Sequence, residues 1–464
     1  MEKNTYSREQ KNTVFVSVVT SFITTFMGSA LNLAVPGIEQ EFDTNALTVG
    51  WIVTIYMLTC GALAVPAGRF ADIFKRKRIL QWGILIFAIS SLAATFSFNI
   101  WLLLIFRMCQ GVGASMIFST NIAILAAAFE EKMRGKILGY STSATYIGLS
   151  AGPVLGGIIT HNFGWRGIFV ASGIVSIITF VMALKKLPDE VYNKENCVNI
   201  KTEGIHWKSV IIYIFSLVLI MYGLSILSTK KTGPFILVAG IGLFVLFVLL
   251  QKKSRTPLIK TKIFENNKAF LFSNGAALIN YGATFIVSYL ISVYLQIILG
   301  FSSQKAGIIL IVSPVIMSLF SPVTGKLSDK VSPHLLSGGG MALCACALFL
   351  FGIFIDGTSL IGIILILALT GSGLALFSAP NTNAVMARVP REDYGTATSI
   401  LSTMRSVGHT FAMALVTLIM GVYLGHNSLR EVPADLLTDA ISRCFFIFAA
   451  LCIIGIFMAI KKKV

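Results

Sequence analysis

Between residues 12 and 460 the chain is a near-continuous succession of apolar runs. Each is close to the ~20 residues that an α-helix needs to cross the hydrocarbon of a bilayer. The runs fall at 12–35, 47–67, 79–98, 101–128, 137–160, 165–184, 209–228, 233–250, 269–299, 303–324, 335–355, 358–386, 396–424 and 441–460. In lipid a backbone must satisfy its own polar groups within each segment, so such runs are read as helices. The expected fold class is an all-α integral membrane protein with fourteen transmembrane helices. The first run follows a basic N-terminus, as a signal peptide would. It is too long for a typical signal core and further spans follow it, so it is kept as a helix.

Composition excludes the soluble alternatives. Only 12% of the 464 residues are charged, about half of the roughly 25% usual in soluble domains. Disorder is excluded by the same apolar content. The net charge of +17 invites a nucleic-acid reading, but the basic residues gather at the ends of apolar runs, as the positive-inside rule expects. With the N-terminus in the cytoplasm, 29 Lys and Arg fall on the inner side, six on the outer side and two, Arg107 and Arg405, inside spans. That split predicts an even number of spans, both termini cytoplasmic, and residence in the cell membrane. The Lys230-Lys231 turn runs against it.

A weak internal repeat organises the chain. Gly68, Asp72 and basic residues follow the second span, and Gly325-Lys326-Leu327-Ser328-Asp329-Lys330 follows the tenth. This fits residues 1–184 as one six-helix bundle and 269–464 as another. Between them, 185–268 holds polar linkers and two inserted helices, 209–228 and 233–250. Repeated halves of this kind are common in secondary transporters.

Several chemistries lack their residues. No phosphate-binding GxxxxGK[ST] loop occurs, so direct use of ATP has no support. Neither a Ser/His/Asp constellation nor HExxH is present, and no enzyme activity is expected. Six of the seven cysteines (Cys60, Cys109, Cys344, Cys346, Cys444 and Cys452) lie within apolar runs, where a thiol behaves as a small hydrophobe. Neither they nor the five histidines show metal-ligand spacing. No metal or cofactor is expected.

Three strings carry the functional signal. In Gly68-Arg69-Phe70-Ala71-Asp72-Ile73-Phe74-Lys75-Arg76 the glycine allows close helix approach, and Asp72 can pair with a cation or face a helix N-terminus. In Leu103–Gly111 an arginine, Arg107, stands about two turns inside a span, where it must find a carbonyl, an acid or a watery cavity. In Gly148-Leu149-Ser150-Ala151-Gly152-Pro153-Val154-Leu155-Gly156-Gly157 the glycines present a smooth packing face, and Pro153 removes a backbone hydrogen bond.

Together these strings resemble the signatures of the major facilitator superfamily, and the third resembles that of its antiporter branch. The chain is similar over nearly its full length to the 14-helix drug:proton antiporters, the EmrB/QacA-type multidrug exporters. Other matching stretches are Asn32–Pro36, Trp51–Tyr56, Trp165–Phe169, Tyr294-Leu295-Gln296 and Arg405-Ser406-Val407-Gly408. The resemblance implies the major facilitator fold and export of small molecules by alternating access, coupled to protons. It implies a cytoplasmic latch at Gly68, Asp72, Arg76 and Asp329. It further implies a pivot at Gly148, Gly152, Pro153, Gly156 and Gly157, and a transport-path role for Arg107. The expected partners are a small-molecule substrate, protons and the lipid bilayer, with no nucleic acid.

One departure matters. Where the family carries a membrane-embedded acid in its first span, this chain has Met27, and none of its 20 acids falls in the middle of a span. The ionisable groups inside spans are cationic: Arg107, Arg405 and His409. Arg405 and His409, at i and i+4, share a helix face. Three readings remain open at this level. His409 carries the proton, the cavity selects an anionic or neutral substrate, or His409 merely hydrogen-bonds a neighbouring helix. A proton-independent facilitator, or an exporter of an anionic or neutral metabolite or lipid, is the alternative function. Asn32, Tyr56, Gln296 and Asn381 are polar mid-span candidates for the cavity wall, with Asn280, Tyr281 and Tyr289 beside them.

Overall fold

The computed structural model describes residues 6–31, 34, 38, 41–43, 46–187, 207–227, 231–253, 258, 267–355, 357, 359–424 and 433–460. Among these residues every long element is a helix and no strand occurs. The helices are α1 (Arg8–Ala30), α2 (Ala46–Phe74), α3 (Arg76–Thr95), α4 (Ile100–Ala128), α5 (Glu131–Phe163), α6 (Arg166–Lys186), α7 (Trp207–Ser225) and α8 (Gly233–Lys253). They continue as α9 (Lys268–Val293), α10 (Ser303–Leu310), α11 (Val312–Ser328), α12 (Pro333–Phe354), α13 (Leu360–Met386), α14 (Tyr394–Leu424) and α15 (Ala434–Ile460).

The ends are set by local chemistry. Ser7 and Gln10 form a reciprocal capping box at α1, at 3.1 and 3.0 Å. Asn99 and Asn267 accept from Leu102 N and Phe270 N to start α4 and α9. Gly164, at φ +71°, closes α5. Between α2 and α3 the left-handed position falls on Lys75, at φ +76° and ψ 123°.

Thirteen spans among the described residues are long and apolar enough to cross a membrane, with α9 running on through a π-helical turn (Tyr294–Ile298) and α10–α11 forming one span. The predicted fifth span, 137–160, forms α5 and has the length, but Gly, Ser, Thr and Tyr between 139 and 152 keep it out of the thirteen. The count by this measure is therefore one below the fourteen expected.

The chain divides into two compact units. The first comprises Met1–Ile211, Leu250–Thr261 and Val389–Thr403, so it includes the first ten residues of α14. Within it α1 lies along α5, α2 and α3 pack on α4, and α3 also packs on α6. Its core joins Phe26, Met27, Tyr56, Phe87, Leu103 and Phe169. The second comprises Ile212–Leu249, Lys262–Arg388 and Met404–Val464. Within it α12 packs along α13 and α15, α11 on α13, and α9 on α15. Phe351 stacks on Phe445 at 5.2 Å across the α12–α15 contact. Apolar side chains also cover the outside: Phe235, Val238 and Ile241 of α8 are exposed, as suits a face that meets lipid.

Candidate functional site

The first cluster stands at the end of α2. The Asp72 carboxylate accepts from Gly395 N (3.0 Å), Thr396 N (2.9 Å) and the Thr396 hydroxyl (2.8 Å), and from Arg76 at 3.1 Å. An acid here meets the partial positive charge and the unpaired N–H groups at the start of α14. Gly68 and Gly395 make the approach possible. A Cβ on Gly68 would lie 1.9 Å from Ser399 Oγ, and one on Gly395 2.5 Å from Asp72 Oδ1. Arg76 also donates to the Arg391 carbonyl and lies over the Tyr394 ring. Both options open to Asp72 in the sequence, a cation and a helix N-terminus, are thus realised together. The receiving pair Gly395-Thr396 was missed; its only signal was a small residue and a hydroxyl at the start of a span. Asp329, in the second copy of the loop, is half-buried at the end of α11.

The second cluster is built on α4. Arg107 is fully buried. Its Nε donates to the Ile52 carbonyl at 3.0 Å and its Nη1 to Gln110 Oε1 at 2.7 Å. Its guanidinium lies 4.4 Å from the centre of the Tyr56 ring, a cation–π contact strengthened by desolvation. Gln110 donates onward to Ser91 (2.6 Å), and the Tyr56 hydroxyl to the Thr24 carbonyl (3.0 Å). One guanidinium nitrogen, Nη2, has no hydrogen-bond partner. The arginine found a carbonyl, an amide and an aromatic face rather than an acid.

Where the family's acid would stand, Met27 is fully buried and accepts a 3.2 Å contact from the Ser172 hydroxyl at its sulfur. The antiporter string forms the face of α5 that meets α1. A Cβ on Gly148 would lie 2.4 Å from the Phe22 carbonyl, one on Gly152 1.7 Å from Ser29 Oγ, and one on Gly156 2.8 Å from the Ala30 Cβ. Gly157 is half-buried, and α5 is helical through residue 153.

The third cluster joins α9 and α14 in the second unit. The two backbones cross at Gly282 and Gly408; a Cβ on Gly408 would lie 2.4 Å from the Leu278 carbonyl, and one on Gly282 2.8 Å from the Gly408 carbonyl. This crossing sets two i, i+4 pairs against each other. Arg405 lies 4.6 Å from the centre of the Tyr281 ring and donates to its hydroxyl at 3.3 Å. His409 stacks on Phe285 at 4.6 Å with rings 21° apart, and meets Tyr281 edge-on at 6.4 Å. Ser378 of α13 shares a 3.0 Å hydrogen bond with the Tyr281 hydroxyl. Sequence reasoning brought out Arg405, His409 and Tyr281 but not Phe285, one of 34 phenylalanines with nothing to distinguish it.

The remaining candidates are dispersed. Asn381 is buried and donates to the Ser273 carbonyl at 3.3 Å. Gln296 sits in the π turn and donates to Ser292 at 2.7 Å. Asn32 lies outside the described residues. On another end of the first unit, Trp165 and Arg166 both donate to Glu41, while Arg166 also holds the Thr95 and Ser97 carbonyls. Burial raises the Glu41 carboxyl, but the hydrogen bonds from Arg166 and Trp165 outweigh it and hold the group below its ordinary range. Among the described residues, no group of three His, Cys, Asp or Glu is arranged to hold a metal.

Fold and site define a class: an all-α, multi-pass membrane protein that draws cationic and aromatic side chains into its spans. The chain belongs to the major facilitator superfamily, whose family model matches residues 17–413 and 274–463. It is a membrane transporter, not an enzyme. Relatives include the riboflavin transporter RibZ of Clostridioides difficile, 28% identical over 95% of this chain and 94% of that protein. The quinolone resistance protein NorB of Staphylococcus aureus is 30% identical over 88% of each. The multidrug resistance protein Stp of Mycobacterium tuberculosis is 26% identical over 85% of this chain and 73% of its own length. Among solved structures, the human organic anion transporter MFSD10 matches with a TM-score of 0.69 at 14% identity, over 97% of this chain and 99% of that one. The proton:xylose symporter XylE matches with a TM-score of 0.69 over 97% and 95%. At such identity these two bear on the fold alone.

Proposed function

We propose that this transporter exports small molecules from the cytoplasm by alternating access, in exchange for protons. The observation that carries the reading is the Arg107 node: a fully buried guanidinium with one nitrogen left without a hydrogen bond. A cation held at such cost within a span marks a pathway for substrate or proton. Relatives named for quinolone and multidrug resistance support export of foreign compounds, and the one named for riboflavin supports a metabolite cargo. In this mechanism two six-helix halves rock, with the 209–228 and 233–250 helices as an insert. Asp72 and Asp329 latch the cytoplasmic side, Gly152-Pro153 is a flex point, and Arg107, Arg405 and His409 line the polar path. The protein resides in the cell membrane with both termini in the cytoplasm.

A second reading is favoured by Met27. With a thioether where a proton-carrying acid is expected, the chain works as a proton-independent facilitator or exporter of an anionic or neutral compound. Uptake of a substrate panel into everted vesicles, with and without uncoupler, separates the two. Uptake abolished by uncoupler supports antiport; uptake that persists supports the second reading. Vesicles that take up nothing would remove both. His409→Ala with unchanged coupling would take His409 out of the proton path.

A further inference from the structure

The turn between α2 and α3 holds a cation in a strained position. Lys75 lies at φ +76°, a conformation that suits glycine and strains a residue with a Cβ, and its side chain is exposed. It is also the N-cap of α3 and makes no side-chain cap. That position usually carries an oxygen that accepts from the helix N–H groups. Here a charge adds to the partial positive end of the helix instead. Arg78, in the first turn of α3, is exposed as well. Asp72 is the only acid between Asp43 and Glu130, and its carboxylate is taken up by Arg76 and the start of α14. Beside Lys75 runs an aromatic strip. Phe74, 53% exposed, meets Phe70 at 6.4 Å, and Phe70 meets Trp207 of α7 at 5.9 Å. Trp207 is 62% exposed, and Lys208 after it is exposed. These residues fall just outside the apolar runs 47–67, 79–98 and 209–228, or at their edges. Three helix ends thus share one strip of rings, with a lysine next to each outer ring. That combination suits the headgroup level of a bilayer, where rings settle at the interface and cations meet lipid phosphates.

We propose that this strip seats the headgroup of an anionic phospholipid, its phosphate held by Lys75 and Lys208 and the upper part of its chains against Phe74 and Trp207. The seat is independent of the export reading; only its assignment to the cytoplasmic leaflet rests on the orientation proposed above. The purified full chain is held in micelles of a neutral detergent. Its thermal unfolding midpoint is followed as phosphatidylglycerol, or phosphatidylcholine with the same acyl chains, is added. The variants are Lys75→Gln with Lys208→Gln, and Trp207→Ala. Glutamine removes the charge and leaves the strained backbone at position 75 as it was. The control is Lys326→Gln with Lys330→Gln, which removes equal charge from exposed positions around the end of α11.

In the wild-type chain, phosphatidylglycerol is expected to reach half its effect at a mole fraction at least about fivefold below that of phosphatidylcholine, the factor that one basic residue near an anionic surface supplies. The Lys75→Gln, Lys208→Gln chain should lose that preference, and the Lys326→Gln, Lys330→Gln chain should keep it. Trp207→Ala should weaken the response to both lipids and still favour the anionic one. Equal response of the wild-type chain to the two lipids overturns the proposal, whatever the variants do. So does a preference that survives Lys75→Gln with Lys208→Gln, or one that the control loses to the same extent, since basic surface in general would then be responsible. A Trp207→Ala response equal to that of the wild type takes the ring out of the seat and overturns it too. Inorganic phosphate added with phosphatidylcholine should leave the midpoint unchanged; a rise matching that from phosphatidylglycerol would make the ligand a soluble anion and sink the lipid assignment.

Discussion

At the scale of single residues, Lys75 and Arg107 stand out among the described residues. Lys75 occupies φ +76° and ψ 123° in the turn between α2 and α3, a region that costs a side-chain-bearing residue on the order of 1–3 kcal/mol. Lys75→Gly is expected to raise the thermal unfolding midpoint in detergent. A midpoint unchanged or lowered would mean that the turn is not strained. Arg107 makes three different contacts with its planar fork, to a carbonyl, an amide and a ring. A lysine ammonium cannot span them. Arg107→Lys is therefore expected to lose at least about tenfold in transport while keeping the charge, and full activity in that variant would reduce the site to a point charge. Glu41 supplies a pH dependence. Its carboxyl is held below the ordinary range in the folded state, so the contribution is present at neutral pH and lost as pH falls through that lowered value. The difference in midpoint between wild type and Glu41→Gln should be largest near pH 7 and shrink on acidification; a constant difference would refute the assignment.

At the scale of helices, glycine crossings carry the packing. The α1–α5 contact leaves no room for a Cβ at Gly148 or Gly152, and α9 and α14 meet the same way at Gly282 and Gly408. Gly152→Val places branched carbon against Ser29 and the backbone at Ala30. Such overpacking costs roughly 1–3 kcal/mol or more when backbone must move. Its expected outcome is a sharp fall in folded protein recovered from membranes, with Gly157→Ala, at the half-buried end of the string, recovered normally. Equal recovery of both would show that α1 and α5 part freely. The α5 face was legible in the sequence because its glycines recur at every fourth position. The α9–α14 crossing was not, because its two glycines stand 126 positions apart in the chain and only folding shows that they face each other. Helix positions were legible from apolar length alone. The docking of Asp72 onto Gly395-Thr396 was half legible: the acid stood out, but its receiver, two common small residues, did not.

At the scale of the whole molecule, the pattern that most strongly predicts orientation is the distribution of positive charge. A side holding 29 Lys and Arg against six is expected to stay in the cytoplasm, because translocating each basic flank across the membrane potential and low-dielectric core is unfavourable. The structure adds markers at known places along the chain: Lys231 is exposed in the turn between α7 and α8, and Arg78 is exposed near the start of α3. Orientation from the charges puts Lys231 outside, although it belongs to the pair that runs against the bias, and Arg78 inside. In a Cys197→Ser background, a membrane-impermeant maleimide should label Lys231→Cys in intact cells and Arg78→Cys only after permeabilisation. The opposite pattern would invert the topology, and with it the direction of transport. Labelling of both from outside would mean an even number of spans between residues 78 and 231, where the five expected spans place them on opposite sides. Because Lys231 is the site where the rule is locally violated, its labelling from outside tests whether the summed charge overrides a contrary pair, which is the physical assumption beneath the orientation of every other helix.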